Sequence, residues 1–202
     1  MANASPRFVK QVAAVLQGHL VDKIEFTFKT EELYVSGLRL WQVGEAIARG
    51  RIAIAIGPTG AVIDAAYSPH TNTMTLRHEH VADWPPGRAA ILHEGIHALV
   101  DLYKCTSTTE ITDEAAAYLA EAIYRRLGKI DVHKEAGANG DPTALAIYDA
   151  AHRLAAKYGL YKKRGASLTG KQYEPLRQAV HQHKAYSSIS LSNLTSGHGV
   201  PG

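Results

Sequence analysis

The hydrophobic pattern of this chain changes at Pro86, and the change limits the possible folds more than any other feature of the sequence. Before Pro86, short alternating or continuous apolar runs, separated by turn residues, predict strands at 24–28, 51–56, 61–67 and about 73–80. After Pro86, longer runs with helical spacing predict helices at about 86–104, 110–127, 142–158 and 171–184. Strands that precede helices, instead of alternating with them, are typical of an α+β domain. We therefore expect an α+β fold.

The part of the chain before Pro86 also predicts two helices and a simple sheet. Ser5 followed by Pro6 is an N-cap with proline at the first helical position, which predicts a helix to about Leu20. A second helix is predicted at 38–49, where a glycine follows. The three strands between residues 51 and 80 succeed one another across short turns, which predicts an antiparallel meander.

Composition and charge exclude several classes of protein. Of 202 residues, 46% are hydrophobic and 20% charged, which is typical of a globular chain, and we expect one domain over 1–185 with a flexible, Ser- and Gly-rich tail at 186–202. The net charge of +3 gives no reason to expect a nucleic-acid partner, and no apolar run reaches the roughly 20 residues of a membrane span. Because the first residues lack the apolar stretch of a secretory signal, we expect a cytoplasmic location, with non-classical export left open.

The motif with the clearest chemistry is His93-Glu94-Gly95-Ile96-His97, inside an apolar helical run. Residues four apart on a helix lie about 40° apart around its axis and about 6 Å along it, so both imidazoles can bind one zinc ion. Glu94 is rotated by about 100° from His93, beside such a metal, where its carboxylate can accept a proton from a water that the metal activates. With 11 histidines and a single cysteine, Cys105, the chain favours a zinc site built on imidazoles over one built on thiolates.

A catalytic zinc takes three protein ligands, so the two histidines need a partner. The next predicted helix offers Glu114, and Glu121 lies two turns further on nearly the same face. Helix geometry alone leaves both glutamates open as the third ligand. Asp113 and Glu110 are weaker candidates, because acids in the first turn of a helix are favoured there without any ligand.

The stretch from Ala89 to Leu127 resembles the gluzincin branch of the zincin metallopeptidases, which includes thermolysin. The resemblance rests on the HExxH motif at residues 93–97 and on Glu114-x-x-Ala117 in the following helix. It implies a zincin-like α+β fold, a Zn²⁺ cofactor held by His93, His97 and Glu114, and Glu94 as the general base of peptide-bond hydrolysis. One turn after the ligand glutamate, many members place an aspartate that steadies the first histidine, whereas this chain has Tyr118. Either the partner of His93 therefore differs, or the third ligand lies elsewhere.

The resemblance also implies parts of the site that the motif does not contain. In zincins an edge strand borders the cleft and pairs with an extended substrate, and the strand at 73–80 is our candidate. Asp101 occupies a position where thermolysin-like peptidases often keep an acid, which here can orient a ligand. A residue that stabilises the oxyanion is expected downstream, and four residues are candidates: His152, Tyr148, Tyr158 and Tyr161.

The sequence thus predicts a zinc metallopeptidase that acts on a peptide or protein substrate, without nucleic-acid or membrane partners. Two alternatives remain open: a zincin-like metal-binding or regulatory protein with little turnover, and a peptidase-type toxin or effector. The presence of Glu94 favours an enzyme, because holding a metal does not by itself require that carboxylate.

Overall fold

A computed structural model describes residues 2–59, 64–131, 141–195 and 199–200. Over these residues the chain is α+β, as expected, with six helices and two small sheets. The helices are α1 (Pro6–Leu16), α2 (Gly37–Ala48), α3 (Pro85–Leu102), α4 (Glu110–Leu127), α5 (Pro142–Lys157) and α6 (Gly170–Gln182). The strands are β1 (Ala2–Asn3), β2 (Glu25–Phe28), β3 (Leu33–Ser36), β4 (Ala53–Ile56), β5 (Ala65–Ser68), β6 (Thr73–Leu76) and β7 (Ala166–Leu168).

Side-chain caps set where several of these helices begin. The Ser5 hydroxyl accepts a hydrogen bond from the Phe8 amide at the start of α1, as the Ser-Pro pair predicts, although α1 ends one turn earlier than expected. At α4, the hydroxyl of Thr109 accepts from the amide of Thr112 at 3.2 Å. This cap fixes the first turn of α4, which carries Asp113 and directly precedes Glu114.

The first sheet has the order β1-β4-β6-β5, so the predicted antiparallel meander is wrong. Strand β6 pairs in parallel with β4 on one side and antiparallel with β5 on the other. Met74 and Leu76 of β6 are fully buried, whereas three of the four residues of β5 are only half-buried. The strand with the larger apolar side chains therefore takes the interior position, and β5 takes the edge.

The second sheet joins distant parts of the chain in the order β3-β2-β7. Strands β2 and β3 form a hairpin, and β7, between α5 and α6 in the chain, adds to β2 in parallel. Phe26 and Phe28 are fully buried beneath this sheet, and Phe28 stacks on Tyr173 of α6 with 4.1 Å between ring centroids. Short strands such as β7 carry too little periodicity to be recognised without their partners.

Helix α3 lies at the centre of the fold, packed against α1, α2, α4 and β5. Most of its residues are buried, which agrees with the lack of a clear polar face in its sequence. Gly95 allows α1 to come close, since a Cβ atom there would lie 2.7 Å from a methyl carbon of Leu16. Within the described residues, no helix is both long and apolar enough to cross a membrane.

Candidate metal centre

Helix α3 presents His93 and His97 one turn apart on the side that packs against α4. Their rings meet edge to face with 5.1 Å between centroids, and only 9% of His93 is exposed. The apolar residues on either side of the motif hold the helix in the core, where His93 is buried and His97 is largely buried. A polar pair buried in this way is stable only with polar or ionic partners.

Glu114 lies between the two imidazoles. Its Oε2 is 3.4 Å from Nε2 of His93, and its Oε1 is 3.6 Å from Nε2 of His97. Donor atoms around a tetrahedral zinc, each about 2.0–2.1 Å from the ion, lie about 3.4 Å from one another, and the two spacings here, one to each oxygen of Glu114, are close to that value. Among the described residues, Oε2 of Glu114 is buried without a hydrogen-bond partner. A buried carboxylate oxygen facing two imidazole nitrogens is a suitable donor for a cation.

Glu94 lies beside this group and is held from the sheet. The backbone N–H of Tyr67 in β5 donates to Oε2 of Glu94 at 2.7 Å. One possible ligand atom from each of Glu94, His93 and His97 lies within 4.8 Å of the others. Burial raises the pKa of Glu94 against the opposing effect of the two imidazoles. A carboxyl group with a raised pKa is better suited to accept and return a proton near neutral pH.

The other nitrogen of each histidine faces a separate carboxylate of α4. Nδ1 of His97 is 3.0 Å from Oδ2 of Asp113, and Nδ1 of His93 is 3.1 Å from Oε2 of Glu121. Burial disfavours the charged form of His97, but Asp113 and Glu114 outweigh it and raise its pKa to about 9. Asp113, expected only as an acid of the first helical turn, thus also reaches the site. Partners of this kind fix the orientation of metal-binding imidazoles.

The surroundings of the two candidate third ligands distinguish them. Glu121 uses both oxygens, because Oε1 accepts from Nε of Arg125 at 2.8 Å and from the hydroxyl of Tyr148 at 3.0 Å, while Oε2 faces Nδ1 of His93. Glu114 instead faces the Nε2 atoms of both histidines. The geometry therefore favours Glu114 as a ligand, with Glu121 as the partner of His93.

The side chain one turn after Glu114 on α4 is that of Tyr118. Its ring packs edge-on against His93, with 4.7 Å between centroids. The carboxylate that faces His93 comes from Glu121, almost one further turn along α4. The carboxylate opposite Nδ1 of His93 is therefore that of Glu121, and position 118 supplies an aromatic contact instead.

Asp101 and the four candidates for oxyanion stabilisation have other partners. Asp101 accepts from the hydroxyl of Tyr67 at 2.7 Å and from the amide of Gly199 at 2.9 Å, whereas both imidazole nitrogens of His97 face Asp113 and Glu114. The structure places the remaining candidates as follows: Tyr148 against Glu121, Tyr161 2.8 Å from Nδ1 of His152, and the Tyr158 ring 5.5 Å from the ammonium of Lys157.

Sequence reasoning missed Tyr186, at the start of the expected tail. Its hydroxyl lies 3.3 Å from that of Tyr118, whose ring packs against His93. Burial and the neighbouring Glu114 raise the pKa of Tyr186 above its ordinary value. No local pattern signals this residue, because its contacts are to a helix distant in the sequence.

Comparisons of the chain with protein-family models, with curated proteins and with solved structures give no match. A function can therefore be proposed only from the residues of the site and their geometry. The proposal rests on the donor set of His93, His97 and Glu114, with the carboxylate of Glu94 beside it.

Proposed function

We propose that this protein is a zinc-dependent metallopeptidase that hydrolyses peptide bonds in peptide or protein substrates. The observation that carries the proposal is the position of the Glu114 carboxylate between the Nε2 atoms of His93 and His97, with Glu94 alongside. Two histidines and one glutamate are a ligand set typical of catalytic zinc, which leaves a coordination position open. The HExxH motif supplies three of these four residues within one helical turn.

His93, His97 and Glu114 would hold the metal. Bound Zn²⁺ supplies Lewis-acid chemistry, which polarises a carbonyl group and lowers the pKa of water. The charge balance of the site supports a divalent cation, because Glu94, Glu114, Glu121 and Asp113 bring four carboxylates to the two imidazoles, while Arg125 forms an ion pair with one of the four, Glu121. Buried anions at this density need positive charge nearby.

Glu94 would act as the general base and acid. Its Oε2 is held by the amide of Tyr67, which leaves Oε1 to accept the proton of the attacking water. The same carboxyl group would then deliver the proton to the amine that leaves. Burial of Glu94 supports this role, since a proton is held more readily where the charged form is disfavoured.

Strand β5 would pair with the substrate. We expected the strand at 73–80 to be the edge strand, but β6 is paired on both sides, and in the described part of the chain no strand pairs with the far side of β5. The amide of Tyr67 turns toward that side, and strand alternation turns Ala65 the same way. An extended peptide could add to this edge next to Glu94.

The test is to compare wild type with Glu94→Gln on a broad peptide library, with zinc content measured for both. Glutamine has nearly the same shape but cannot accept the proton, so we expect turnover to fall by about 10²–10⁴-fold while zinc content is unchanged. Equal cleavage by both proteins removes Glu94 from the mechanism. Zinc-loaded wild type that cleaves no peptide supports a metal-binding or regulatory protein instead.

A further inference from the structure

Three polar side chains converge on the face of His93 that points away from Glu114. Glu121 is only 3% exposed and Arg125 only 6%, and both lie on α4. Tyr148 reaches the same point from α5, and its ring lies 5.5 Å from the guanidinium of Arg125. Together the three form a closed set of contacts, which we call the Glu121 clamp.

The clamp has a specific physical effect on His93. A neutral imidazole that binds a metal through Nε2 must carry its proton on Nδ1, and a carboxylate beside Nδ1 stabilises that arrangement. Glu121 can stay ionised in the core because Arg125 and Tyr148 donate to the oxygen that His93 does not use. The carboxylate then cannot rotate without breaking those two hydrogen bonds.

The second histidine is held less completely. Asp113 approaches Nδ1 of His97 through Oδ2, but its other oxygen is buried without a hydrogen-bond partner among the described residues. Glu121 makes hydrogen bonds through both oxygens. The carboxylate that faces His93 is therefore held by more hydrogen bonds than the carboxylate that faces His97.

We propose that the Glu121 clamp is a positioning device that fixes the proton of His93 on Nδ1 and aims Nε2 at the metal. The inference rests on the proposed zinc site. Because Tyr148 belongs to α5, the clamp also makes the metal affinity depend on a helix that carries none of the proposed ligands. Arg125 and Tyr148 thus act through Glu121 and touch neither metal nor substrate.

The test measures zinc affinity by chelator competition in full-length variants. Tyr148→Phe removes one hydroxyl from the clamp, and we expect the dissociation constant for zinc to rise about fivefold, as for the loss of one hydrogen bond. Tyr161→Phe is the matched control, because its hydroxyl bonds His152 outside the clamp, and it should leave zinc affinity unchanged. Glu121→Gln should raise the dissociation constant about 10–100-fold, since an amide can donate to Nδ1 and favour the wrong tautomer.

A spectroscopic measurement separates positioning from general loss of stability. In zinc-loaded protein labelled with ¹⁵N, the Nδ1 proton of His93 should be visible and slow to exchange in wild type and Tyr161→Phe. It should exchange faster in Tyr148→Phe and be lost in Glu121→Gln. Melting temperatures of the zinc-free proteins should fall equally in the two tyrosine variants, because each loses one hydroxyl.

The outcomes distinguish failure of the clamp from failure of the proposed function. Equal zinc affinity and equal proton exchange in Tyr148→Phe, Tyr161→Phe and Glu121→Gln overturn the clamp, whatever the peptidase assay gives. Wild type that binds zinc but cleaves no peptide overturns the peptidase and leaves the clamp to be decided by the affinities. Wild type that takes up no zinc overturns both.

Discussion

Neighbouring residues of α4 serve different atoms of the two histidines. Glu114 faces the Nε2 atoms, and Asp113, directly before it, faces Nδ1 of His97. Successive helical residues are rotated by about 100°, so the two carboxylates approach the imidazole from different sides. The carboxylates of the site thus differ in the imidazole nitrogen that each one faces: Glu114 faces Nε2, and Asp113 faces Nδ1.

Replacing the proposed ligands gives a ranked set of affinities for zinc. His93→Ala and His97→Ala should abolish binding, because each leaves two of three ligands. Glu114→Gln should weaken binding by more than the roughly 100-fold that loss of an outer partner can cost, and thus more than Glu121→Gln. His78→Ala removes an exposed histidine and is the control. Full metal occupancy in both histidine variants would place the metal elsewhere, and the reverse ranking of the glutamates would make Glu121 the ligand.

At the scale of elements, the site depends on how the start of α4 is held. Thr109 caps the helix, and its hydroxyl also donates to that of Thr112. Thr112 in turn donates to the buried carboxylate of Glu31, in the turn between β2 and β3, which also accepts from Tyr173 of α6. This chain of hydrogen bonds ties the first turn of α4, and with it Glu114, to the second sheet and to α6.

Removing the cap of α4 should therefore affect the metal site as well as stability. We expect Thr109→Ala to lower the free energy of unfolding by about 1 kcal/mol and also to weaken zinc binding, because Asp113 lies in the loosened turn and Glu114 follows it directly. Thr169→Ala removes the threonine at the N-cap of α6 and should cost a similar stability without a change in zinc affinity. Denaturant titrations and chelator competition on both variants measure the two effects. Equal zinc affinities would show that the cap does not position the ligands.

At the scale of the whole molecule, the two helices of the site are joined to the last part of the chain. The amide of Glu110 donates to the carbonyl of Asn193, and Leu194 forms a β-bridge with Thr109. Gly199 donates to Asp101 at the end of α3. These contacts hold the last turn of α3 and the start of α4, at the turn of the hairpin, against residues 193, 194 and 199.

Removal of the metal should lower the stability of the whole domain, because a ligand that binds only the folded state stabilises it. With free zinc at about 1,000 times its dissociation constant, the gain is about 4 kcal/mol, or about 10 °C in melting temperature for a chain of this size. A chelator should therefore lower the melting temperature of wild type by about that amount and leave His93→Ala unaffected. A wild-type melting temperature that is insensitive to zinc and to chelator would contradict a metal site in the core.

The sequence by itself determined the α+β class, most helix positions and the local geometry of the HExxH helix. Within one helix the repeat of 3.6 residues sets which side chains share a face, so His93, His97 and the position of Glu94 follow from spacing alone. Three other features depend on packing between distant segments: the interior position of β6 in its sheet, the strand at 166–168, and the contacts of Tyr186. The same holds for Glu114 and Glu121, which lie on nearly the same face of α4. Only the packing of α4 against α3 and α5 decided which carboxylate faces Nε2 and which faces Nδ1, because helix periodicity carries no information about the neighbouring helix.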